Sequence, residues 1–235
     1  QLMKEYRRAA QLAALGTVAA GVAHEINNPI NGVINYATLI EKTPDKSDRV
    51  IDLAKRISKE SERIVNITQN LLHYSKDTSA KPILSDIREL IESAISLLNT
   101  KIRRHGIDIR INFTDNIPNI KVDPQGIQQI IINLVDNAFD AIRTKTGLID
   151  KKLISIDGRR RRVGQEDYLI IEVRDNGIGM PSEVLKKANE AFFSTKPSNE
   201  GTGLGLSIVQ DIVEKHKGRI EIESVEGEYT SIKIF

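Results

Sequence analysis

Apolar side chains return every seven residues through the first third of the chain, and this period constrains the fold more than any other feature. Leu12, Ala19, Ile26, Val33 and Ile40 form one row, and Leu15, Val22, Pro29 and Tyr36 form a second. One strong break follows, Thr43-Pro44-Asp45-Lys46-Ser47. Beyond it Val50, Ile57, Ile64 and Leu71 resume one row, with Leu53 and Ile67 in the other. A seven-residue repeat keeps one seam of a helix facing a neighbouring helix. Two such helices with a short break between them predict an antiparallel hairpin. Two helices cannot enclose a core, so the hairpin is expected to form a homodimer, a four-helix bundle. The alternative is that both helices pack on the remainder of the same chain.

The remainder has a different grammar. Asp86 is placed to cap a helix running to about Arg104. Ile107, Ile109, Ile111 and Phe113 alternate with polar residues, the pattern of a strand. Asp123-Pro124 supplies an N-cap and a first-turn proline for a helix through about Arg143. Residues 154–156 and 169–173 read as two strands whose connecting hairpin carries Arg159, Arg160, Arg161 and Arg162 at a solvated tip. Residues 204–217 read as a helix, and 219–224 and 230–235 as closing strands. Helices with a largely antiparallel sheet predict a two-layer α/β sandwich. The expected division is therefore an all-α hairpin over 1–77, a linker over 76–82 and an α/β domain over 82–235.

Composition removes several functions. A net charge of +2 over 235 residues argues against a dedicated nucleic-acid binder, so no nucleic-acid partner is expected. With no cysteine, disulfides, thiol nucleophiles and cysteine metal sites are excluded. No run approaches the roughly 20 apolar residues of a membrane span, and no signal peptide is visible, so no membrane contact is expected for this part of the chain. The chain starts in a helical pattern and stops in a strand pattern. It reads as a cytoplasmic fragment, with any sensory or membrane-anchored portion outside it.

His24 lies two residues from Val22 and two from Ile26, about 160–200° from the apolar seam at 100° per residue. It therefore points to solvent. Glu25 adjoins it, Asn28 lies one turn on along the same face, and Pro29 removes a backbone hydrogen bond just below. A nucleophilic imidazole must be neutral at the attacking nitrogen, with the proton on its other nitrogen held by an acceptor. Glu25 is placed to be that acceptor or the base, and Asn28 to orient a water for the reverse, hydrolytic reaction.

Three further motifs belong together. Asn133 and Asn137, spaced i, i+4, share a helix face, and amide oxygens suit Mg²⁺. Asp175-Asn176-Gly177-Ile178-Gly179 follows a strand. A carboxylate at a strand end can accept from an adenine amine, and glycines let the backbone pass close to a flat base. Gly201-Thr202-Gly203-Leu204-Gly205-Leu206 opens a helix, where exposed amides and the dipole favour phosphate. No Gly-Lys-Ser/Thr follows it and no βαβ context precedes it, so it is neither a P-loop nor a dinucleotide fingerprint.

The string His24-Glu25-Ile26-Asn27-Asn28-Pro29 resembles the H-box of sensor histidine kinases, close to its form in nitrogen-regulation-type kinases. Asn133-Leu134-Val135-Asp136-Asn137 resembles the N-box, Asp175 to Gly179 the G1 box, Phe192-Phe193-Ser194-Thr195-Lys196 the F-box, and Gly201 to Leu206 the G2 box. These last four belong to the ATP-binding fold shared by histidine kinases, gyrase and Hsp90. The resemblance implies that His24 is the phosphoacceptor, that Glu25 assists, and that Asn28 holds the phosphatase position. It implies Mg²⁺ on Asn137, with Asn133 near the phosphates and the adenine read by Asp175 in a pocket shaped by Gly177 and Gly179. Gly201, Thr202, Gly203, Leu204 and Gly205 would lie along the phosphates, with Lys196 reaching them from a lid over 181–200. ATP and Mg²⁺ are the implied cofactors, and a response-regulator receiver domain is the implied partner. Where gyrase-like relatives carry a water-activating glutamate, this chain has Asn133, which favours a protein acceptor over free hydrolysis. A gyrase- or Hsp90-like clamp and a non-catalytic dimeric scaffold are the alternatives.

Overall fold

The structure, a computed structural model, describes residues 26–42, 47–75, 81–113, 117–146, 151–163, 166–190, 193–196 and 203–235. His24, Glu25, Gly201 and Thr202 lie outside the described residues. The chain divides into two compact units, one built on the helices before residue 77 and one on the mixed segment that follows.

In the first unit α1 spans 26–41 and α2 spans Ser47–Ser75. On α1 the seven-residue rows are the sheltered ones: Ile26, Val33, Tyr36 and Ile40 are half-buried and Pro29 is buried. On α2 Val50, Ile57 and Ile64 are half-buried and Leu53 is buried. The Arg56 guanidinium sits 5.9 Å from the Tyr36 ring centroid, and Gly32 faces the Glu60 side chain. The two contacts step in opposite directions along the helices, so the hairpin is antiparallel, as the short break requires.

The second unit is a two-layer sandwich. Its elements are β1 (Ile83–Ser85), α3 (Ile87–Arg104), β2 (Asp108–Phe113), β3 (Ile120–Val122), α4 (Pro124–Thr144), β4 (Leu153–Val163), β5 (Glu166–Asp175), α5 (Ser182–Lys187), α6 (Gly205–Lys215), β6 (Ile220–Val225) and β7 (Tyr229–Ile234). Five strands run in the order β2-β4-β5-β7-β6, with β2 parallel to β4 and all other neighbours antiparallel. β1 and β3 form a separate antiparallel pair. Both pair members are three residues long, too short for alternation to announce them.

One sheet face is apolar and carries the helices. Ile154 and Ile156 on β4, Ile171 and Val173 on β5, and Ile232 and Ile234 on β7 are buried in register. α4 lies between α3 and α6, and its buried row runs from Ile127 through Ile131, Leu134 and Ala138 to Ile142. Each fully buried isoleucine or leucine contributes about 1.5–3 kcal/mol relative to exposure. Caps set the helix starts: Asp86 accepts from the Arg88 amide at 2.8 Å, and Asp123 accepts from the Gln125 amide at 3.1 Å, ahead of Pro124.

The four arginines are not at a hairpin tip. They are paired residues of β4, with Arg159 opposite Ile170, Arg160 opposite Leu169, Arg161 opposite Tyr168 and Arg162 opposite Asp167. This ribbon extends past β2, which pairs with β4 only as far as Gly158, and past β7, which pairs with β5 only from Ile171 onward. Its sheltered side chains, Tyr168, Leu169 and buried Ile170, all come from β5, so β4 shows no apolar alternation here. Cross-strand charge pairs such as Arg160–Asp167 at 2.7 Å and Arg159–Glu172 at 3.4 Å take its place.

His216, just past α6, accepts the Asp123 backbone N–H on Nε2 at 3.0 Å while Nδ1 lies 2.7 Å from the Ile212 carbonyl. The tautomer that satisfies both carries its proton on Nδ1. This contact ties the end of α6 to the start of α4 across 93 residues of sequence. We predict that His216→Phe lowers unfolding free energy by about 1–3 kcal/mol, because it orphans the Asp123 N–H. Urea denaturation at neutral pH measures it, and an unchanged midpoint would mean the contact contributes nothing.

Candidate functional site

Asp175 ends β5 on the helix-covered face, in phase with Ile171 and Val173. Its cross-strand neighbours are Ile154 on β4 and Thr230 on β7, and Thr230 in turn pairs with Ser224 on β6. Residues directly opposite across a sheet share a face. The apolar face thus ends in a polar row, Asp175–Thr230–Ser224. Asp175 is 6% exposed and Thr230 8%. The Gly177 N–H donates to Asp175 Oδ1 at 2.8 Å, the one hydrogen bond this carboxyl makes among the described residues. Burial pushes the Asp175 carboxyl up to about 6, against the pull of the Gly177 N–H and of the Lys145 and Arg174 charges.

The segment after Asp175 is stitched to both sides. A β-carbon on Gly177 would lie 2.6 Å from the Ala141 carbonyl carbon, so only glycine fits against α4 there. Ile178 N–H donates to the Ala141 carbonyl at 3.1 Å, and Gly227 N–H donates to the Ile178 carbonyl at 2.6 Å. Gly179 has φ +62°, and a β-carbon on it would collide with the Val225 carbonyl. Met180 N–H donates to Ser224 Oγ at 2.8 Å. Asn176 turns away from this row: Oδ1 accepts from the Leu153 N–H at 2.9 Å and Nδ2 donates to the Lys151 carbonyl at 2.6 Å.

Asn133, Asn137 and Ala141 follow one another at i, i+4 on α4, a single stripe. Asn133 Nδ2 donates to the Gly205 carbonyl at 3.3 Å, and Asn133 Oδ1 accepts from Gln129 at 3.1 Å. Asn133 is therefore engaged in holding the start of α6. The Asn137 side chain makes no hydrogen bond among the described residues, and its amide lies against Gly205, within 3.6–3.9 Å of where a β-carbon would stand. α6 begins after buried Leu204, and no side chain caps it, so its first-turn amides are left for another acceptor. Gly203, before it, has φ +64°.

Asp175, Gly177, Gly179, Asn133, Asn137, Gly203, Leu204 and Gly205 thus belong to one unit, the first three at the sheet end and the rest where α4 meets α6. Lys196 is grouped with the helical unit instead. Asn28 is exposed on α1. The segment 181–200 includes the short helix α5, which its sequence did not announce. Thr230 and Ser224 were missed as well. Thr230 is the one polar residue in the phase of Ile232 and Ile234, but its meaning depends on register with Asp175.

The chemistry of the donors fits a purine nucleotide with Mg²⁺. A buried carboxyl with one hydrogen bond can take a base amine, and an unengaged amide beside an uncapped helix start suits a cation shared with phosphates. Among the described residues no cluster of three acidic, histidine or cysteine side chains could hold a metal alone. No described helix is long and apolar enough to cross a membrane.

The family model for histidine kinase-, DNA gyrase B- and HSP90-like ATPases matches residues 122–235. The model for the His kinase A (phospho-acceptor) domain matches residues 14–80. The sensor histidine kinase ZraS of Escherichia coli K12 is 32% identical over 234 residues, 100% of this chain and 48% of that protein. Sporulation kinase E of Bacillus subtilis is 30% identical over 234 residues, 100% of this chain and 30% of its own length. The crystal structure of histidine kinase ThkA in complex with response regulator protein TrrA superposes with a TM-score of 0.76 at 28% identity, covering 99% of this chain and 65% of that one. The chain spans about half the length of the ZraS proteins it matches.

The Asp175 carboxyl yields a signed prediction. With its folded value near 6 against 3.8 in the unfolded chain, the native state holds more protons between those limits, and Asp175 costs stability as pH rises through about 4 to 6. Asp175→Asn keeps an acceptor for Gly177 and removes the buried charge. It should raise unfolding free energy by about 1–3 kcal/mol at pH 8 and give no gain at pH 4. Urea melts at the two pH values check this, and an equal loss at both would contradict it.

Proposed function

This chain belongs to the histidine kinase family, and from that premise we propose that it is the catalytic core of a two-component sensor kinase, phosphorylating His24 from Mg-ATP. The observation that carries this reading is the buried Asp175 carboxyl, aligned with Gly177 and Gly179, in the same unit as the unengaged Asn137 amide and the uncapped start of α6.

Asp175 takes a hydrogen bond from the adenine amine, and Gly177 and Gly179 let the base lie against backbone. Asn137 would hold Mg²⁺ through its amide oxygen, a hard oxygen donor of the kind Mg²⁺ prefers. A cation there would offset charge on the phosphates. The amides of Gly203, Leu204 and Gly205, with Gly201 and Thr202 before them, line the phosphates at the positive end of α6.

The attacking nitrogen of neutral His24 forms a bond to the γ-phosphorus as the bond from phosphorus to the bridging oxygen breaks, and ADP leaves. Glu25 takes up the charge or the proton of the other ring nitrogen. The phosphoramidate then gives its phosphoryl group to an aspartate carboxylate of a receiver domain, breaking the P–N bond. Asn28 is placed to orient a water for dephosphorylation of that partner. Engagement of Asn133 with Gly205 and Gln129 supports transfer to a protein over hydrolysis, because no acid occupies the position from which water would be activated.

Exposed Ile30, Ile34 and Leu39 on α1 and Ile51 on α2 support a homodimer, since two helices leave this apolar surface uncovered. The domains divide at 77 and 82, with a cytoplasmic setting for this segment and a linker that lets the ATP domain move between steps.

Incubation with γ-labelled ATP and Mg²⁺ should put an acid-labile, alkali-stable label on the protein. His24→Ala should bind ADP with unchanged affinity and take up no label. Label retained on that variant would place the acceptor elsewhere.

A further inference from the structure

Neither the motifs nor the proposed reaction has a use for Ser224 or Thr230 of the polar row, and the hydrogen bonds of Ser224 determine more than its own position. Its Oγ has three partners: the Met180 N–H at 2.8 Å, the Tyr229 carbonyl at 2.8 Å and Thr230 Oγ1 at 3.0 Å. A serine hydroxyl has one proton and two lone pairs. The Met180 N–H can only donate and the Tyr229 carbonyl can only accept, so the Ser224 proton points at Tyr229. Thr230 must then be the donor in the third bond.

The Thr230 hydroxyl makes no other hydrogen bond among the described residues, and the residue is buried directly opposite Asp175. With its proton committed to Ser224, it offers only lone pairs to anything beside it. Asp175, once ionised, also offers only acceptors. We propose that Ser224 is a positioning residue that fixes the Thr230 hydroxyl proton and so makes the base pocket select a purine with an amine, rather than a carbonyl, at its six-position. The proposal rests on Asp175 as the adenine-facing residue.

An adenine amine carries two N–H donors and can satisfy an all-acceptor wall. Hypoxanthine carries a carbonyl there and meets lone pairs on both sides, the mismatch that discriminates most strongly in a desolvated site. Without the Ser224 hydroxyl the Thr230 hydroxyl is free to rotate and donate to that carbonyl. Selectivity is then lost by relaxing a hydrogen, with no group touching the base removed. Ser224 also holds Met180 N–H, which keeps the end of the Gly177–Gly179 segment against the β6–β7 hairpin.

The test is calorimetric binding of ADP and of IDP, with Mg²⁺, to the full chain. Wild type should prefer ADP. Ser224→Ala should narrow the ADP-to-IDP affinity ratio by about tenfold, one hydrogen bond's worth of discrimination, while Ser224→Thr keeps the wild-type ratio. Thr230→Val, close in volume, removes the lone pairs themselves and should narrow the ratio to a similar extent, which covers the case of a Ser224→Ala chain that does not fold. A purely structural role weakens both nucleotides together and leaves the ratio unchanged in both variants, and that result would overturn the proposal. Wild type that binds neither nucleotide, or Asp175→Asn that keeps both ADP affinity and selectivity, would instead show that the adenine reading beneath it is wrong.

Discussion

A carboxyl group occupies the last slot of an apolar row, and the arrangement around it follows from that placement. Ile171 and Val173 precede Asp175 on the same face of β5, all three are buried, and α4 packs against that strand. An ionised group there costs stability, and only one N–H, from Gly177, compensates it. The fold carries this cost because the sheet and α4 are anchored elsewhere, by the isoleucine rows of β4, β5 and β7. A buried acceptor whose capacity is mostly unused is what a base-recognition site needs before its ligand arrives.

α4 divides its half-buried stripe among three tasks. Ala141 presents its carbonyl to Ile178 and its small side chain to Gly177, fixing the segment after Asp175. Asn137, one turn earlier, is left unengaged beside Gly205. Asn133, a further turn back, is consumed in holding the Gly205 carbonyl. One helix thereby positions all three parts of the nucleotide site we propose: the base end, the metal position and the phosphate-binding helix start. A change in the pitch of α4 would disturb all three, which explains why its opposite face is so continuously apolar from Ile127 to Ile142.

Much of this was legible in the sequence where a local rule suffices. Asp86 and Asp123-Pro124 mark helix starts because capping is local, and the seven-residue rows mark the antiparallel hairpin because packing repeats along a helix. Asp175 was readable as a strand-end carboxylate with glycines behind it. Thr230 and Ser224 were not, because their role comes from the register that sets them beside Asp175, and register is a property of three strands at once. The four arginines carry no alternation that announces a strand, because the sheltered residues of this ribbon, Tyr168, Leu169 and buried Ile170, all lie on β5. The hydrogen bonds of the Asn133 amide, to the Gly205 carbonyl and from Gln129, are a detail that spacing on one helix cannot reveal. His24 and Glu25 were read from heptad phase and motif and lie outside the described residues.

The most direct test of the account is the ionisation of Asp175 itself, followed through its carboxyl carbon by NMR across pH 4 to 8, with and without Mg-ADP. The account predicts a midpoint near 6 in the free protein and a carboxylate that stays ionised well below that when ADP is bound, because the adenine amine stabilises the charged form. A midpoint near 4 in the free protein, unmoved by ADP, would contradict both its burial and its role in reading the base.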